Sequence, residues 1–301
     1  MVLPMNFHEE TEAKVREINS LLEEKLSIET GLSEYLMDAM RYSVMGSGKR
    51  LRPMLMKETS KLFSDDVPEL PYFMAALEFI HSYSLVHDDM PCIDNDEYRR
   101  GRKTTHAVYG ETTALLAGDG LLNFAYETAA KSFLETKNPE RCGKALNILS
   151  TKAGIFGMVG GQAVDVESEK KNLSITKEKL LYIHENKTAA LIEAAMMIGA
   201  TLAGAGNPDV SRLEEAASAI GIAFQIRDDI LDVEGTFEEL GKSIGSDATN
   251  EKETYVTLFG MEKAKDDVAL YSKKAIDILN SFENKNEFLI QLVESMVYRN
   301  K

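Results

Sequence analysis

The sequence predicts an all-α protein, and the pattern of its apolar residues is the main reason. Apolar side chains recur at helical spacing through most long segments, as Val15, Ile18 and Leu22 do near the N-terminus. No segment alternates strictly between apolar and polar residues, and no hairpin signal separates two such segments. We therefore expect one domain over residues 1–301, with about ten or more antiparallel helices around a central cavity.

Composition argues against several classes of function. The formal net charge of −15 is unfavourable for nucleic-acid binding. No charge-free apolar run reaches the ~20 residues that a membrane span requires, and the N-terminus lacks the pattern of a secretory signal. Cys92 and Cys142 lie in no CxxC pattern, so a thiolate metal site is not predicted. We expect a cytoplasmic protein without an integral membrane segment and without a nucleic-acid partner.

The first elements of the chain lead to a basic loop. Residues 7–27 and 32–44 predict two helices, and the second ends in the glycine-rich stretch MGSGKRLRP. This stretch gathers Lys49, Arg50 and Arg52 just before the next helix. Cations at a helix N-terminus bind anions, although for these residues alone a solvated basic loop is the favoured interpretation.

Residues 74–89 predict a helix that changes from apolar to acidic at its C-terminal end, at Asp88 and Asp89. Pro91 should end it, because a proline restricts the residue before it and lacks a backbone donor. Asp94 then returns toward the cluster from a short loop. Basic residues follow closely at Arg99 and Arg100, so surface ion pairs of little energy are one interpretation.

A second acidic helix favours a different interpretation. The predicted helix 211–234 carries another cluster, made of Asp228, Asp229 and Asp232. Asp228 and Asp232 share one helix face and repel each other there, which a bound cation would relieve. Oxygen ligands without cysteine or histidine suit Mg²⁺ or Mn²⁺, and Mg²⁺ is usually held by one or two carboxylates together with substrate phosphates. Two such clusters near basic residues predict a site for a magnesium-bound diphosphate.

The middle and the end of the chain predict further helices. Residues 115–133 read as an apolar helix buried on most sides, and residues 145–167 read as one helix whose glycines indicate a kink or a close approach. The direction in which Gln162 and Asp165 face stays open. Thr176 should cap a helix that carries Lys187 in an alanine-rich, apolar run. A polar, lid-like loop then contains Lys242 and Lys252, and residues 261–297 predict one or two amphipathic helices.

Taken together, these residues resemble the trans-isoprenyl diphosphate synthases. The stretch from Asp88 to Asp94 matches the longer form of that family's first aspartate-rich motif, followed by RRG, and residues 228–232 match the second motif. GKRLRP, GGQAVDV, NKT and GKSIGSD match further landmarks in the same order. Each match is weak alone, and their order makes the resemblance specific. It implies an isoprenoid synthase-type helical bundle, an active-site cavity at its centre and a homodimer.

The resemblance also implies roles for individual residues. About three Mg²⁺ ions would be bound by Asp88, Asp89, Asp94, Asp228, Asp229 and Asp232, with Mn²⁺ as a substitute. Isopentenyl diphosphate would be bound by Lys49, Arg52, His81 and Arg100. The allylic diphosphate would be bound by Arg99, Lys187, Thr188, Gln225, Lys242 and Lys252. The catalytic set would be Lys187, Thr188, Gln225, Asp88 and Asp228, because the reaction expels pyrophosphate from an allylic carbon and requires no side-chain nucleophile.

Product length depends in this interpretation on Tyr83, with Ser84 beside it. Tyr83 precedes Asp88 by five residues, about 7–8 Å along a helix, so its ring would form the floor of an apolar shaft. An aromatic residue there implies a fifteen-carbon product, farnesyl diphosphate; the alternative is the twenty-carbon geranylgeranyl product. A terpene cyclase and a non-catalytic synthase subunit are less favoured, because cations for a second diphosphate are present and both aspartate motifs are intact.

Overall fold

A computed structural model of the chain describes residues 5–46, 48–170, 175–234 and 253–298. These residues form helices almost throughout, so the predicted all-α class is confirmed. The helices α1 to α4 span Met5–Leu26, Glu34–Val44, Leu51–Ser60 and Leu70–Asp88, with a 3₁₀ turn at Gly31–Ser33. In the part of the chain that the structure describes, no helix is long and apolar enough to cross a membrane.

The remaining elements follow α4 in chain order. Two short strands, β1 at Tyr98–Arg99 and β2 at Arg102–Lys103, precede α5 at Thr105–Tyr109 and α6 at Glu111–Lys131. Then come a 3₁₀ turn at Ser132–Leu134, α7 at Pro139–Ala153, α8 at Met158–Lys170, α9 at Lys177–Ile183, a π-helical segment at His184–Ala189, α10 at Ala190–Ala203 and α11 at Asn207–Glu234. Three further helices span Tyr255–Phe259, Met261–Asn280 and Glu287–Val297.

Helix α10 lies at the centre of the bundle. Every residue of it except Met197 is buried, and it packs against α3, α4, α7 and α11. Its sequence is apolar except for Glu193 and Thr201, and a helix with so few polar residues has no solvent face. Around it, α4 packs along α6, and α11 packs along the Met261–Asn280 helix. The two acidic clusters therefore lie on helices that both contact this central helix.

Three sequence-based expectations about elements are corrected. The segment 145–167 is two helices, because the chain leaves α7 at Gly154 and begins α8 at Met158. Helix α6 is not buried on most sides, since Leu115 and Leu116 are 48% and 50% exposed. A hairpin is also present: β1 and β2 are antiparallel, joined by a turn at Arg100 and Gly101. Its strands are too short to produce an alternating pattern.

Candidate active site

The first acidic cluster forms where α4 ends. Asp88 is the last residue of the helix and Asp89 is its C-cap, and Pro91 prevents the helix from continuing. The amide of Asp94 donates to the carbonyl oxygen of Asp88 at 3.0 Å, so the following loop turns back on the helix end. The predicted return of Asp94 to the cluster is confirmed.

The carboxylates of this cluster repel one another. Burial, together with the charges of Asp94 and Asp89, raises the pKa of Asp88 to about 6, although Lys187 and Arg99 act in the opposite direction. Burial also raises the pKa of Asp89 to about 6, even though Nε of Arg99 lies 2.6 Å from its Oδ1 atom. A cation bound between these oxygens would offset both the cost of burying their charges and their mutual repulsion.

Helix α8 contributes two polar side chains to the same region. Nε2 of Gln162 donates to Oδ1 of Asp88 at 2.7 Å. Asp165 is buried and accepts a hydrogen bond from Nζ of Lys187 at 2.6 Å. The sequence left the direction of Gln162 and Asp165 open, and both face the site. Lys187 is therefore bound to a carboxylate on α8 and is also close enough to Asp88 for its charge to lower the pKa of that carboxyl.

The π-helical segment His184–Ala189 explains how Lys187 reaches that position. Its backbone passes so close to α8 that a Cβ atom on Gly161 would lie 2.2 Å from the amide nitrogen of Lys187. Single π-helical turns within α-helices are rare and frequently occur at functional sites. Lys187 faces α8, whereas the hydroxyl of the next residue, Thr188, donates to Oε1 of Gln225 on α11 at 2.9 Å. This segment thus contacts α8, whose Gln162 donates to Asp88 of the first acidic cluster, and α11, which carries the second acidic cluster.

The second acidic cluster has a buried part that is held by neighbours. Oδ2 of Asp229 accepts from the backbone amide of Tyr255 at 2.7 Å and lies 3.8 Å from Nε2 of His184. Its Oδ1 atom receives a longer contact, 3.4 Å, from Nε2 of Gln225. Asp229 and Asp232 are buried, whereas Asp228 is half-buried. His184 and Tyr255 were not anticipated from the sequence, because these contacts join residues far apart in the chain.

A cationic pocket lies beside the first cluster, between the end of α2, helix α4 and the hairpin. We define it by its lining residues, which include Tyr42, Gly46, Arg50, Glu78, His81, Asp89, Arg99, Arg100, Arg102, Lys103 and Thr104. Burial and the neighbouring guanidiniums of Arg52 and Arg100 lower the pKa of His81 well below its usual value. His81 is consequently neutral at pH 7 and offers ring nitrogens rather than a positive charge.

The three basic residues at the start of α3 have different environments, with Lys49 and Arg50 before the helix and Arg52 in its first turn. Arg50 has a positive φ of 50° and is buried, with Nη1 2.7 Å from the carboxylate of Glu78. Burial and the nearby Arg100 lower the pKa of Arg52 to about 10. The Nε atom of Arg52 is buried and has no hydrogen-bond partner among the described residues. Lys49 is exposed on the loop. Arg50 therefore fixes the loop, while Arg52 retains a donor for an anion.

The side chains predicted to limit product length lie one to two turns below the acidic cluster. Tyr83 is buried, and its ring packs edge-on against that of His87 with centroids 5.5 Å apart. Burial, with added repulsion from Tyr126 and Asp88, raises the pKa of the Tyr83 hydroxyl to about 12. Ser84 donates to the carbonyl of His81 at 2.9 Å and is half-buried.

Two predicted site residues, Lys242 and Lys252, lie outside the described residues, as does most of the predicted lid-like loop. Within the described ranges, no group of three or more His, Cys, Asp or Glu side chains is close enough to hold a metal ion by itself. That geometry is compatible with magnesium, because protein carboxylates usually supply only part of its ligands and substrate phosphates supply others.

The chain is similar to known proteins over most of its length. The polyprenyl synthetase family matches residues 33–295. The farnesyl diphosphate synthase of Bacillus subtilis is 40% identical over 93% of this chain and 97% of that protein. The chloroplastic geranylgeranyl pyrophosphate synthase of Capsicum annuum is 40% identical over 98% of this chain and 79% of that protein.

Solved structures agree with these sequence matches. An apo FPP/GFPP synthase from Zymomonas mobilis superposes with a TM-score of 0.86 at 32% identity, covering 97% of this chain and 99% of that one. A geranyltransferase from Helicobacter pylori, complexed with magnesium and isoprenyl diphosphate, gives a TM-score of 0.81 at 30% identity, with coverage of 99% and 98%.

Proposed function

The chain belongs to the polyprenyl synthetase family, and on this premise we propose that it joins two isoprenoid diphosphates. The substrates are isopentenyl diphosphate and an allylic primer, dimethylallyl or geranyl diphosphate, and the product is farnesyl diphosphate. The observation that carries this proposal is the position of the π-helical segment. Lys187 on this segment is bound to Asp165 near Asp88, and Thr188 contacts Gln225 near Asp229.

The donor set at the site fits magnesium. Asp88, Asp89 and Asp94 supply hard carboxylate oxygens on one side, and Asp228 supplies them on the other. The raised pKa values of Asp88 and Asp89 mark a cluster that a divalent cation would stabilise. When bound, magnesium would neutralise the negative charge that develops on the departing pyrophosphate. Asp229 has both oxygens engaged by neighbours, so we assign it to orienting α11 rather than to direct metal binding.

The chemistry requires the two diphosphates to be held apart. We place the allylic diphosphate between the acidic clusters, in contact with Arg99 and Lys187, with Lys242 and Lys252 as further ligands. Isopentenyl diphosphate lies in the cationic pocket, bound by Lys49, Arg52, His81 and Arg100. The buried donor of Arg52 supports this assignment, because a buried unpaired guanidinium N–H is costly without a partner.

The reaction then proceeds by ionisation, condensation and elimination. The allylic C–O bond breaks, and its electrons leave with the pyrophosphate, so that fixed cations at Arg99 and Lys187 stabilise the leaving group. The hydroxyl of Thr188 and the amide of Gln225 lie beside the resulting allylic cation, together with backbone carbonyls of the widened π-helical segment. The double bond of isopentenyl diphosphate attacks this cation, and the proton lost from the adjacent carbon passes to pyrophosphate. The products are a longer allylic diphosphate and protonated pyrophosphate.

The fifteen-carbon product is favoured over the twenty-carbon one by Tyr83. Its buried ring lies below the acidic cluster and is held edge-on by His87, where a growing chain would meet it. Geranylgeranyl diphosphate is the second candidate product, favoured by the similarity to the Capsicum annuum synthase. A cyclase acts on a single diphosphate, and the separate cationic pocket argues for two.

We also propose a homodimer. Helix α6 exposes Leu115 and Leu116 side by side, and burying them against a second copy would remove apolar area from water. Light scattering of the purified protein at micromolar concentration tests this proposal. A mass near twice 33.5 kDa supports it, and a mass near 33.5 kDa, unchanged with concentration, contradicts it.

Product analysis tests the activity. The protein is incubated with Mg²⁺, labelled isopentenyl diphosphate and either primer, and the dephosphorylated alcohols are separated. Farnesol as the main product is the expected result, and an EDTA-treated sample is the control. Geranylgeraniol as the main alcohol would support the same mechanism but would change the proposed product to geranylgeranyl diphosphate. No condensation by folded protein with magnesium and either primer would overturn the proposal.

A further inference from the structure

The hairpin beside the cationic pocket has a shape that it cannot maintain alone. Arg99 pairs with Arg102 across it, and the turn residues Arg100 and Gly101 have φ angles of 51° and 75°. A two-residue turn with both φ angles positive suits the twist of a hairpin, but a side chain makes that conformation unfavourable by roughly 1 kcal/mol. Two-stranded hairpins are marginal in water, so contacts from elsewhere in the fold must hold this one.

Tyr42, in the last turn of α2, supplies two of those contacts. Its hydroxyl donates to the carbonyl oxygen of Lys103 at 2.8 Å. Its ring lies under the guanidinium of Arg102, with 4.4 Å from the guanidinium carbon to the ring centroid. The same guanidinium packs against Gly46, where an added Cβ would lie 3.4 Å from its Nη1 atom. The side chain of Tyr42 thus holds both the backbone of β2 at Lys103 and the guanidinium of Arg102.

Tyr42 is itself held in place by a second aromatic ring. The ring of Tyr109 packs edge-on against it at 5.5 Å, and the hydroxyl of Tyr109 donates to the carbonyl of Asp38 on α2 at 3.4 Å. At the base of the hairpin, the hydroxyl of Thr104 donates to the carbonyl of Asp96 at 2.7 Å. Tyr42 is therefore a rigid support between α2 and the hairpin.

The support lies on the wall of the cationic pocket. Tyr42 and Arg102 both line it, together with His81 on α4 and Asp89 at the end of that helix. The two acidic side chains in the lining are already paired, Glu78 with Arg50 and Asp89 with Arg99. The guanidinium of Arg102 lies over the aromatic face of Tyr42, an arrangement that limits its conformations and leaves N–H groups for an anion.

From these contacts we infer that Arg102 is a further binding residue for the diphosphate of isopentenyl diphosphate, and that Tyr42 is the positioning residue that presents it. This inference rests on the proposed function for the identity of the anion. Tyr42 holds β2 through the Lys103 carbonyl and holds Arg102 through its ring. The hairpin then reaches the pocket with Arg100 and Arg102 already oriented, which lowers the entropic cost of binding.

Kinetics of matched variants test the inference. For Arg102→Met, the KM for isopentenyl diphosphate should rise about tenfold or more, while the KM for the allylic primer changes less than twofold. For Tyr42→Phe, which keeps the ring, the rise should be about threefold to fivefold, and for Tyr42→Leu it should approach that of Arg102→Met. The controls are Arg16→Met, on the exposed face of α1, and Tyr35→Phe, at the outer end of the same aromatic group.

Two further measurements do not depend on catalysis. Trypsin cleaves after arginine and lysine, and residues 98–103 contain four such sites. Tyr42→Leu should accelerate cleavage there about tenfold relative to cleavage elsewhere in the chain, while Tyr35→Phe should not. Calorimetry with inorganic pyrophosphate should give weaker binding to Arg102→Met than to Arg16→Met.

The outcomes separate the inference from the proposed function. If the wild-type protein condenses no substrate but the cleavage and pyrophosphate results hold, the support is real and the identity of the anion is wrong. If the wild-type protein is active while Tyr42→Leu and Arg102→Met leave the KM for isopentenyl diphosphate and the hairpin cleavage unchanged, the inference is wrong. Equal rises in both KM values would also contradict it, because they would indicate a general structural loss.

Discussion

The ammonium group of Lys187 lies 2.6 Å from a carboxylate oxygen of Asp165. Lys187 comes from the π-helical segment and Asp165 comes from α8, so one buried carboxylate fixes the cation that we propose for the allylic diphosphate. This pair makes the position of Lys187 a property of the free protein rather than a consequence of substrate binding.

Replacing Asp165 should therefore weaken binding of the allylic substrate. In Asp165→Ala the lysine loses its partner, and we expect the KM for geranyl diphosphate to rise about tenfold, the effect of losing one charge-assisted hydrogen bond. Asp165→Asn keeps an acceptor oxygen and should recover most of the affinity. Steady-state kinetics with each substrate varied in turn checks this. A KM for geranyl diphosphate that is unchanged in Asp165→Ala would contradict it.

Asp88→Asn should abolish condensation and yet stabilise the metal-free protein. The folded protein raises the pKa of Asp88 from 3.8 to about 6, so at pH 7 its buried charge opposes folding. The neutral amide removes that cost, and we expect the free energy of unfolding to rise by about 1–3 kcal/mol. Thermal denaturation in EDTA at pH 7 is the measurement. Asp277→Asn, at a largely exposed site, is the control and should change little.

Magnesium binding should weaken as the pH falls through about 6. Both Asp88 and Asp89 have pKa values raised to about 6, so protons compete with the cation at these oxygens below that pH. We expect the dissociation constant to increase by about tenfold per pH unit for each carboxyl that takes part. Calorimetric titration between pH 5 and 7.5 measures this, and a constant affinity over that range would contradict it.

The same shifts set the sign of the pH dependence of folding in the metal-free protein. Their raised pKa values mean that Asp88 and Asp89 bind protons more tightly in the folded than in the unfolded chain. Their contribution to stability is fully present below about pH 4 and is lost as the pH rises through about 6. Saturating magnesium should reduce this loss by stabilising the charged form.

Shortening Tyr83 should lengthen the product. Tyr83→Ala removes the ring held against His87 and opens the space below the acidic cluster, so geranylgeraniol should replace farnesol as the main alcohol. Tyr83→Phe keeps the ring and should retain farnesol. The control Tyr35→Ala lies at a site that is 61% exposed. Chromatography of the alcohols decides the matter, and an unchanged profile for Tyr83→Ala would rule out this floor.

Gly161 and Gly143 form a matched pair for testing the close approach of α8. A Cβ atom on Gly161 would lie 2.2 Å from the amide nitrogen of Lys187, whereas one on Gly143 would meet nothing within 4 Å. We expect Gly161→Ala to destabilise the protein by about 1–3 kcal/mol and to reduce kcat. Gly143→Ala, within α7, should stabilise it by about 0.5–1 kcal/mol. Urea denaturation measures both, and equal effects would contradict the prediction.

Local chemistry made part of this structure predictable. A proline beyond the first turn of a helix prevents the helix from continuing, so Pro91 made the return of Asp94 to Asp88 predictable from the chain order. Thr176 caps α9 through its hydroxyl, as its residue type predicted. The acidic clusters were recognisable because each lies within a few residues of sequence, and like charges that close together on an apolar helix repel unless a cation binds them.

Other features depend on distant contacts and left no local signal. Arg50 and Arg52 are two positions apart at the start of α3, yet Glu78 on α4 pairs with Arg50 while the Nε donor of Arg52 has no partner among the described residues. The backbone amide of Tyr255, the last residue of the predicted lid-like loop, donates to Asp229. The hairpin escaped notice because two-residue strands have no period, and its turn begins at an arginine rather than at the asparagine or glycine that usually marks one.

The π-helical segment has a consequence for evolution. A π-helical turn arises when one residue is inserted into an α-helix, and each residue of an α-helix turns the chain by about 100°. Deleting one residue between His184 and Ala189 would restore an ordinary helix and rotate everything before it by that angle relative to α10. Lys187 would then leave α8 while Gln225 kept its place. In related chains, the length of this stretch should therefore tolerate less change than its composition.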